Sequence, residues 1–301
     1  MPERTVLGPS IAAALRDGAG RLHGSGIVDP RREARMLWAA VAGDATTPGD
    51  VWIGRDRAPA PEVAARFRQA IELRAGGVPF AYAVGSTDFR TLQLSIDRRA
   101  LIPRPETEGL VDLVLRETGM RDAGSGRRGV VADIGTGCGC IALSLAVEGT
   151  FERVVAVERS AEAAALAREN VAVVQPAVPV EVREGDWLAP LAGERYRAIV
   201  SNPPYLTEAE YGALDPAVLQ FEPREALVSG ADGLTATRAL LAGASALLEP
   251  GGFVALELDE RRADQVRALA LRHGWSPVAV YDDLFGRPRF LMAGLDAEGG
   301  T

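Results

Sequence analysis

The chain has 301 residues, 47% hydrophobic and 25% charged, with a net charge of −8 and a pI near 5.1. That length suits one large domain with a small one, and no apolar run approaches the roughly 18 residues that span a bilayer. All 33 cationic side chains are arginines, and the negative balance argues against a broad phosphate-binding face, which needs clustered cations.

The opening Met1-Pro2-Glu3-Arg4 lacks the basic-then-apolar layout of a signal peptide, so a cytoplasmic protein is expected. Residues 1–85 read as helical. Ile11, Ala14, Leu15 and Leu22 have helical spacing, as do Ala34, Leu37, Trp38 and Val41. Asp29-Pro30 is a helix start, with Asp as N-cap and Pro in the first turn. A polar segment bearing Pro and Gly, residues 43–61, separates that helix from one at 63–74, which Gly76-Gly77-Val78-Pro79 ends. The pattern predicts a small bundle suited to recognising a partner.

Residues 87–103 alternate apolar and polar around Asp97-Arg98-Arg99, which predicts a hairpin linking two domains. A helix follows on Leu110, Val111, Leu113, Val114 and Leu115, and Gly124-Ser125-Gly126 is a loop before the next strand. From Val130 onward strands alternate with helices. Strands are predicted at 130–134, 154–157, 180–183, 198–201 and 253–258, with apolar pieces at 278–281 and 289–293. Helices are predicted at 141–147, at 161–171 with Ser160 as cap, at 235–248 and at 263–273. Such alternation predicts a parallel sheet covered on both faces. Asp296 to Thr301 reads as a frayed tail.

Two strand ends carry the chemistry. Val130-Val131-Ala132-Asp133-Ile134 runs into Gly135-Thr136-Gly137-Cys138-Gly139, where missing Cβ atoms let backbone approach a ligand and a helix N-terminus faces it. Glu158 ends the next strand about 20 residues on, where ribose hydroxyls would bond it. That feature fits both NAD and S-adenosylmethionine. The dinucleotide fingerprint wants its third glycine at position 140, which is Cys140, so the register favours the methyl donor. Cys138 and Cys140, the only cysteines, lack the spacing and partners of a metal or redox pair, and no metal is expected. His23 and His273 lie outside every motif, which argues against a histidine base.

The second strand end is Ser201-Asn202-Pro203-Pro204-Tyr205. Two prolines have no N–H, so the loop offers acceptors only: the Asn202 side-chain carbonyl and backbone carbonyls such as that of Pro203. Acceptors on both N–H bonds of a carboxamide or an exocyclic amine favour pyramidalisation and stabilise charge growing on nitrogen as it attacks a methyl group. Tyr205 is expected to cover the planar group. The same chemistry leaves open an adenine-N6 methyltransferase acting on a flipped base, a non-catalytic S-adenosylmethionine-binding module, or an NAD oxidoreductase.

Taken together, these motifs resemble the HemK/PrmC family of protein-(glutamine-N5) methyltransferases over nearly the whole sequence. The likeness rests on Asp29-Pro30-Arg31-Arg32-Glu33-Ala34-Arg35, Ile102-Pro103-Arg104-Pro105-Glu106-Thr107-Glu108 and residues 133–139. It continues through Gly185-Asp186-Trp187-Leu188, Asn202-Pro203-Pro204-Tyr205, Phe221-Glu222-Pro223-Arg224-Glu225-Ala226-Leu227 and Gly230-Ala231-Asp232-Gly233-Leu234. The resemblance implies an α/β fold: a seven-stranded, S-adenosylmethionine-dependent (class I, Rossmann-like) methyltransferase domain with a small N-terminal all-α bundle and a linking β-hairpin. Residues 1–85 would recognise substrate, 86–103 form the hairpin linker and 104–301 the methyltransferase domain. Gly135, Thr136, Gly137, Cys138, Gly139, Glu158, Asp186, Trp187 and Asn202 would contact S-adenosyl-L-methionine. Asn202, Pro203, Pro204 and Tyr205 would hold substrate, with Asn202, Pro203 and Tyr205 catalytic.

The implied substrates are class 1 peptide-chain release factors, methylated on the glutamine of their Gly-Gly-Gln motif, by a monomer needing neither membrane nor direct nucleic-acid binding. The sister group acting on a ribosomal protein usually has a Pro-Arg-Ser-Pro-like sequence where this chain has Pro103-Arg104-Pro105-Glu106. Arg104 and Glu106 either line the methionine end of the pocket or cap the following helix. Asp186 bonds either adenine or the loop backbone, and Glu222-Pro223-Arg224 reads as a latch under the substrate loop. The chain departs from the family in having Glu158 for the usual Asp, and Glu257-Leu258-Asp259-Glu260 where Glu-Ile-Gly and a later Gln are usual. That second departure leaves room for a paralogue acting on another amide or amine.

Overall fold

The computed structural model describes residues 10–43, 46–122 and 129–295. The loop expected at Gly124-Ser125-Gly126 and the tail expected at 296–301 lie outside the described residues, as does Met1-Pro2-Glu3-Arg4. The chain divides into two compact units, Met1–Ser86 and Thr87–Thr301.

In the first unit, α1 (Ile11–Gly24), α2 (Pro30–Ala42) and α4 (Pro61–Ala75) supply the packing, with short helices α3 (Pro48–Ile53) and α5 (Phe80–Val84) between and after them. Asp29 caps α2 as its sequence predicts, accepting from the Arg32 N–H at 3.2 Å ahead of Pro30 at the first helical position. The segment expected to be a plain connection instead contains α3. Thr47 and Asp50 form a reciprocal capping box there, satisfying two end donors of a helix too short to show a periodic pattern. Leu22, Leu37, Trp38, Phe67 and Ile71 form the core, with the Trp38 and Phe67 rings 4.7 Å apart.

The second unit opens with a two-stranded hairpin, β1 (Ser86–Phe89) and β2 (Leu92–Ser95), so most of the segment read as a linker belongs to this unit. The buried Asn170 holds it there: its Oδ1 accepts from the Ser95 N–H at 2.8 Å, and its Nδ2 donates to the Ser95 carbonyl at 3.0 Å. A seven-stranded sheet follows, built from β3 (Val130–Ile134), β4 (Arg153–Glu158), β5 (Val180–Glu184), β6 (Tyr196–Ser201), β7 (Leu248–Glu257), β8 (Val278–Asp282) and β9 (Pro288–Gly294). Its order is β5-β4-β3-β6-β7-β9-β8. Helices α6 (Glu108–Asp122), α7 (Cys140–Glu148), α8 (Ala161–Val174), α11 (Thr235–Gly243) and α12 (Ala263–Arg272) pack on it.

Five strands, β3 to β7, are parallel as the alternation predicts, but β9 is antiparallel to both β7 and β8. The reason is the connection. Only residues 283–287 join β8 to β9, whereas a parallel crossover needs about a dozen residues or more. Two short helices, α9 (Glu208–Tyr211) and α10 (Pro216–Phe221), lie in a stretch for which no element was expected. On one side of the sheet Ile134, Ile199, Val254 and Leu256 pack with Leu240, Leu241, Val266 and Leu269. Among the described residues no helix is long and apolar enough to cross a membrane.

The cap gives the bundle a measurable dependence. Asp29→Ala should lower the unfolding free energy by about 1 kcal/mol, read as a lower urea midpoint at unchanged slope. An unmoved midpoint would mean the α2 start is held by packing alone.

Candidate active site

The parallel pairing of β3 with β6 brings the two motif loops together. Ile134 and Ser201, the last residues of their strands, are register partners, and the Ser201 hydroxyl donates to the Ile134 carbonyl at 2.6 Å. Gly135 and Asn202 therefore leave the sheet side by side, at the carboxyl edge where open α/β sheets bind ligands. A cavity of about 380 Å³ lies at this edge, within the range of small-molecule sites.

Gly135, Gly137 and Gly139 have φ of 72°, 57° and 89°, a left-handed run that a side chain would strain. A Cβ on Gly135 would meet no protein atom within 4 Å, so the loop leaves open space there. The loop is held from beneath. Gly135 and Thr136 N–H groups donate to the Val157 carbonyl, and the Cys138 carbonyl accepts from Asn170 Nδ2 at 2.9 Å. Glu158 closes its outer side: Oε2 accepts from the Gly137 N–H and Oε1 from the Ser160 N–H, both at 2.9 Å.

Asp133, fully buried, accepts from the Thr136 hydroxyl at 2.6 Å and from the Ala142 N–H at 3.1 Å, both through Oδ2. Its Oδ1 has no hydrogen-bond partner. Burial raises its pKa to about 7 against those two bonds, with the Glu158 charge adding to the rise.

On the opposite wall, Asn202 Nδ2 donates to Thr107 Oγ1 at 3.1 Å, and that hydroxyl donates to Glu257 Oε2 at 2.7 Å. Arg104 reaches the same wall and pairs with the buried Glu222 at 2.9 Å, and Glu222 also accepts from the Ile102 N–H. Glu222 thus latches residues 102–104 along the cavity. Gly233 packs so tightly under the Asn202-Pro203-Pro204-Tyr205 loop that a Cβ would lie 2.4 Å from the Tyr205 carbonyl.

Of the residues singled out by sequence, Gly135, Thr136, Gly137, Cys138, Glu158, Asp186, Trp187, Asn202, Pro203 and Pro204 line this one cavity. Gly139 and Tyr205 do not. Gly139 is the left-handed residue that starts α7. The Tyr205 phenol is pushed up to about 12 by burial, with Glu257 adding and Arg289 and Arg104 opposing. Trp187, with φ of 46°, is held in a left-handed conformation at the rim.

Sequence reasoning missed much of the remaining wall. Arg99, Ala100, Leu101, Pro103 and Thr107 come from the segment before α6, and Pro223, Glu225 and Ala226 from the segment after α10. Pro103 and Thr107 were signalled by the motif Ile102-Pro103-Arg104-Pro105-Glu106-Thr107-Glu108, and Pro223, Glu225 and Ala226 by Phe221-Glu222-Pro223-Arg224-Glu225-Ala226-Leu227; Arg99, Ala100 and Leu101 lay in the segment read as a hairpin. Arg104 lines the cavity, whereas Glu106 does not.

The raised Asp133 pKa makes a signed prediction. The folded state holds a proton that the unfolded chain has released, so this contribution to stability is full below about pH 4 and is lost as pH rises through about 7. Asp133→Asn lacks it. Between about pH 5 and about pH 7 the wild type should lose stability relative to the variant by up to ~1.4 kcal/mol per pH unit, measured by denaturant unfolding at each pH. Parallel curves would overturn the assignment.

Comparison with known proteins follows the same two units. Residues 13–85 match the PrmC N-terminal domain and residues 115–220 the methyltransferase small domain. The chain is 39% identical over 286 residues to the release factor glutamine methyltransferase of Cereibacter sphaeroides, covering 95% of this chain and 99% of that one. It is 40% identical over 279 residues to that of Deinococcus radiodurans, covering 93% and 96%. Among solved structures, the N-terminal domain of human METTL16 in complex with SAH aligns over 98% of this chain and 97% of that one, with a TM-score of 0.50 at 17% identity. The hMettl16 catalytic domain in complex with an RNA hairpin aligns over 79% and 83%, with a TM-score of 0.53 at 16% identity. At such identities these two likenesses show the fold alone.

Proposed function

The chain belongs to the family of release factor glutamine methyltransferases, and from that premise we propose that it methylates the side-chain amide nitrogen of the glutamine in the Gly-Gly-Gln motif of class 1 peptide-chain release factors, with S-adenosylmethionine as donor. The observation that carries this reading is the single cavity lined by both the glycine loop and Asn202-Pro203-Pro204. The glycine loop and the carbonyl acceptors of the proline loop face the same cavity.

The residues fit S-adenosylmethionine. The open space at Gly135 admits a ligand close to backbone. Each Glu158 oxygen accepts one protein N–H and keeps capacity for ribose hydroxyls. Trp187 offers an aromatic wall for the adenine. When bound, S-adenosylmethionine supplies an electrophilic methyl group.

The chain's own residues act on the nucleophile. Asn202 Oδ1 and the Pro203 carbonyl accept the two N–H bonds of the substrate carboxamide, drawing its lone pair out of conjugation and stabilising positive charge as it grows on nitrogen. The proton lost afterwards becomes acidic only once nitrogen carries the methyl group, so no side-chain base is needed. Arg104, fixed by Glu222, adds a cation to the wall that suits a carboxylate. The N-terminal unit, which matches the PrmC N-terminal domain, is the module proposed to dock the protein substrate. The substrate would be met by a soluble monomer.

Incubation with purified release factor and labelled donor, followed by peptide mass mapping, should put one methyl group on the Gly-Gly-Gln glutamine. Label on RNA or a metabolite with that peptide unmodified would replace the substrate. Asn202→Ala should cut turnover by about a hundredfold or more while leaving cofactor binding by calorimetry close to wild type. Equal loss of both would refute the role given to Asn202.

A further inference from the structure

A carboxamide has two ends of nearly equal size, and the function proposed above requires the oxygen of Asn202, not its nitrogen, to face the substrate. The fold contains a device that distinguishes them. Thr107 has one hydroxyl proton, and it is committed to Glu257 Oε2 at 2.7 Å. Thr107 Oγ1 can then only accept on its other side, where Asn202 Nδ2 donates at 3.1 Å. The nitrogen of Asn202 is thereby held at Thr107, and Oδ1 is the end left for the substrate. A carboxylate at the far end of this chain is what sets its direction, because an ionised carboxylate accepts and cannot donate.

The placement follows from the sheet. Ser201 and Leu256 are register partners in β6 and β7, so Glu257 and Asn202 each follow a paired residue at the carboxyl edge. Thr107 reaches them from a turn of 3-10 helix, Pro105–Thr107, that precedes α6. Thr107 and Glu257 are each 2% exposed, so water competes little for either bond. Burying a carboxyl there is costly, and packing alone would be served better by an apolar side chain.

We infer that Glu257 and Thr107 are positioning residues for methyl transfer: together they lock the Asn202 amide with its oxygen toward the substrate nitrogen. This rests on the methyl-transfer reading. With the amide reversed, an N–H of Asn202 would face an N–H of the substrate, and the nucleophile would lose an acceptor.

The lock depends on Glu257 being ionised. Burial pushes its pKa up to about 7, with Glu106 adding and Thr107, Arg289 and Arg104 opposing; the Tyr205 phenol also faces it. Once protonated, Glu257 donates to Thr107, which frees the Thr107 proton for Asn202 Oδ1 and lets the amide turn over. The rate should therefore fall as pH drops below about 7.

The test uses the full chain with purified release factor. Thr107→Val keeps the shape and removes the hydroxyl; it should lower kcat about tenfold or more, with KM for release factor and Kd for S-adenosylhomocysteine within about twofold of wild type. Thr107→Ser restores the hydroxyl and should recover the rate. The second readout needs neither turnover nor cofactor. In protein labelled with 15N-asparagine, the Asn202 side-chain NH₂ should show one proton protected from exchange in wild type and in Thr107→Ser, and neither in Thr107→Val. Wild-type kcat in Thr107→Val, a matching rise in KM or Kd, or no rescue by serine would overturn the inference. Failure of wild type to modify release factor would instead strike the substrate reading, and the asparagine resonances would still decide the orientation.

Discussion

The parallel pairing of β3 with β6 is the constraint from which the rest of the site follows. The loops after these strands are separated by 67 residues in sequence, yet Ile134 and Ser201 end their strands in register and are tied by a direct hydrogen bond. Two loops of opposite character are thus set at one edge. One is glycine-rich, with its Gly135, Thr136 and Gly137 N–H groups bonded back to the protein and open space above Gly135. The other is built on prolines and asparagine and offers only acceptors. A slip of this pairing by one residue would turn Asp133 and Ser201 to the other face of the sheet, and both loops would lose their support.

Beneath each loop lies a buried carboxyl. Asp133 organises the glycine loop through Thr136 and the start of α7, and Glu257 organises the proline loop through Thr107. Both have pKa values raised by burial to about 7, which marks them as groups kept at some cost to stability. Each acts on the cavity through a threonine hydroxyl rather than by reaching the cavity itself. At Thr107 the hydroxyl transmits direction: committing its proton to the Glu257 carboxylate leaves its oxygen as an acceptor toward Asn202.

The departure at Glu257-Leu258-Asp259-Glu260 also gains a physical account. Asp259 caps a turn of 3-10 helix by accepting from the Arg261 N–H at 2.9 Å and pairs with Arg262 at 2.7 Å. Arg262 also binds Glu210 of α9 and the Asp232 carbonyl. The end of β7 is thereby clamped to the segment that follows Asn202-Pro203-Pro204-Tyr205 and to the Gly-rich turn beneath Tyr205.

Some of this was legible in the residues themselves. A run such as Val130-Val131-Ala132-Asp133-Ile134 followed by glycines, or Asp29-Pro30 before an amphipathic stretch, is decided by local sterics and hydrogen bonding, and each folds as its pattern implies. Cavity-lining residues at or just after strand ends, Gly135 to Cys138, Glu158 and Asn202 to Pro204, could be named for the same reason, whereas Asp186 and Trp187 were named through the family resemblance. Tyr205 does not line the cavity, and the residue after it, Leu206, bridges Val228. The direction of β9 and the short helices α9 and α10 carried no periodic signal, and the alternation through Arg99 to Pro103 announced a hairpin and not a cavity wall. By itself the sequence determined which loops hold chemistry, since backbone freedom and missing donors are properties of glycine and proline wherever they stand. Only the tertiary structure decided that Thr107 and Glu257 meet Asn202, because hydrogen bonds between residues 95 and 150 positions apart are set by strand order and register, which no local pattern encodes.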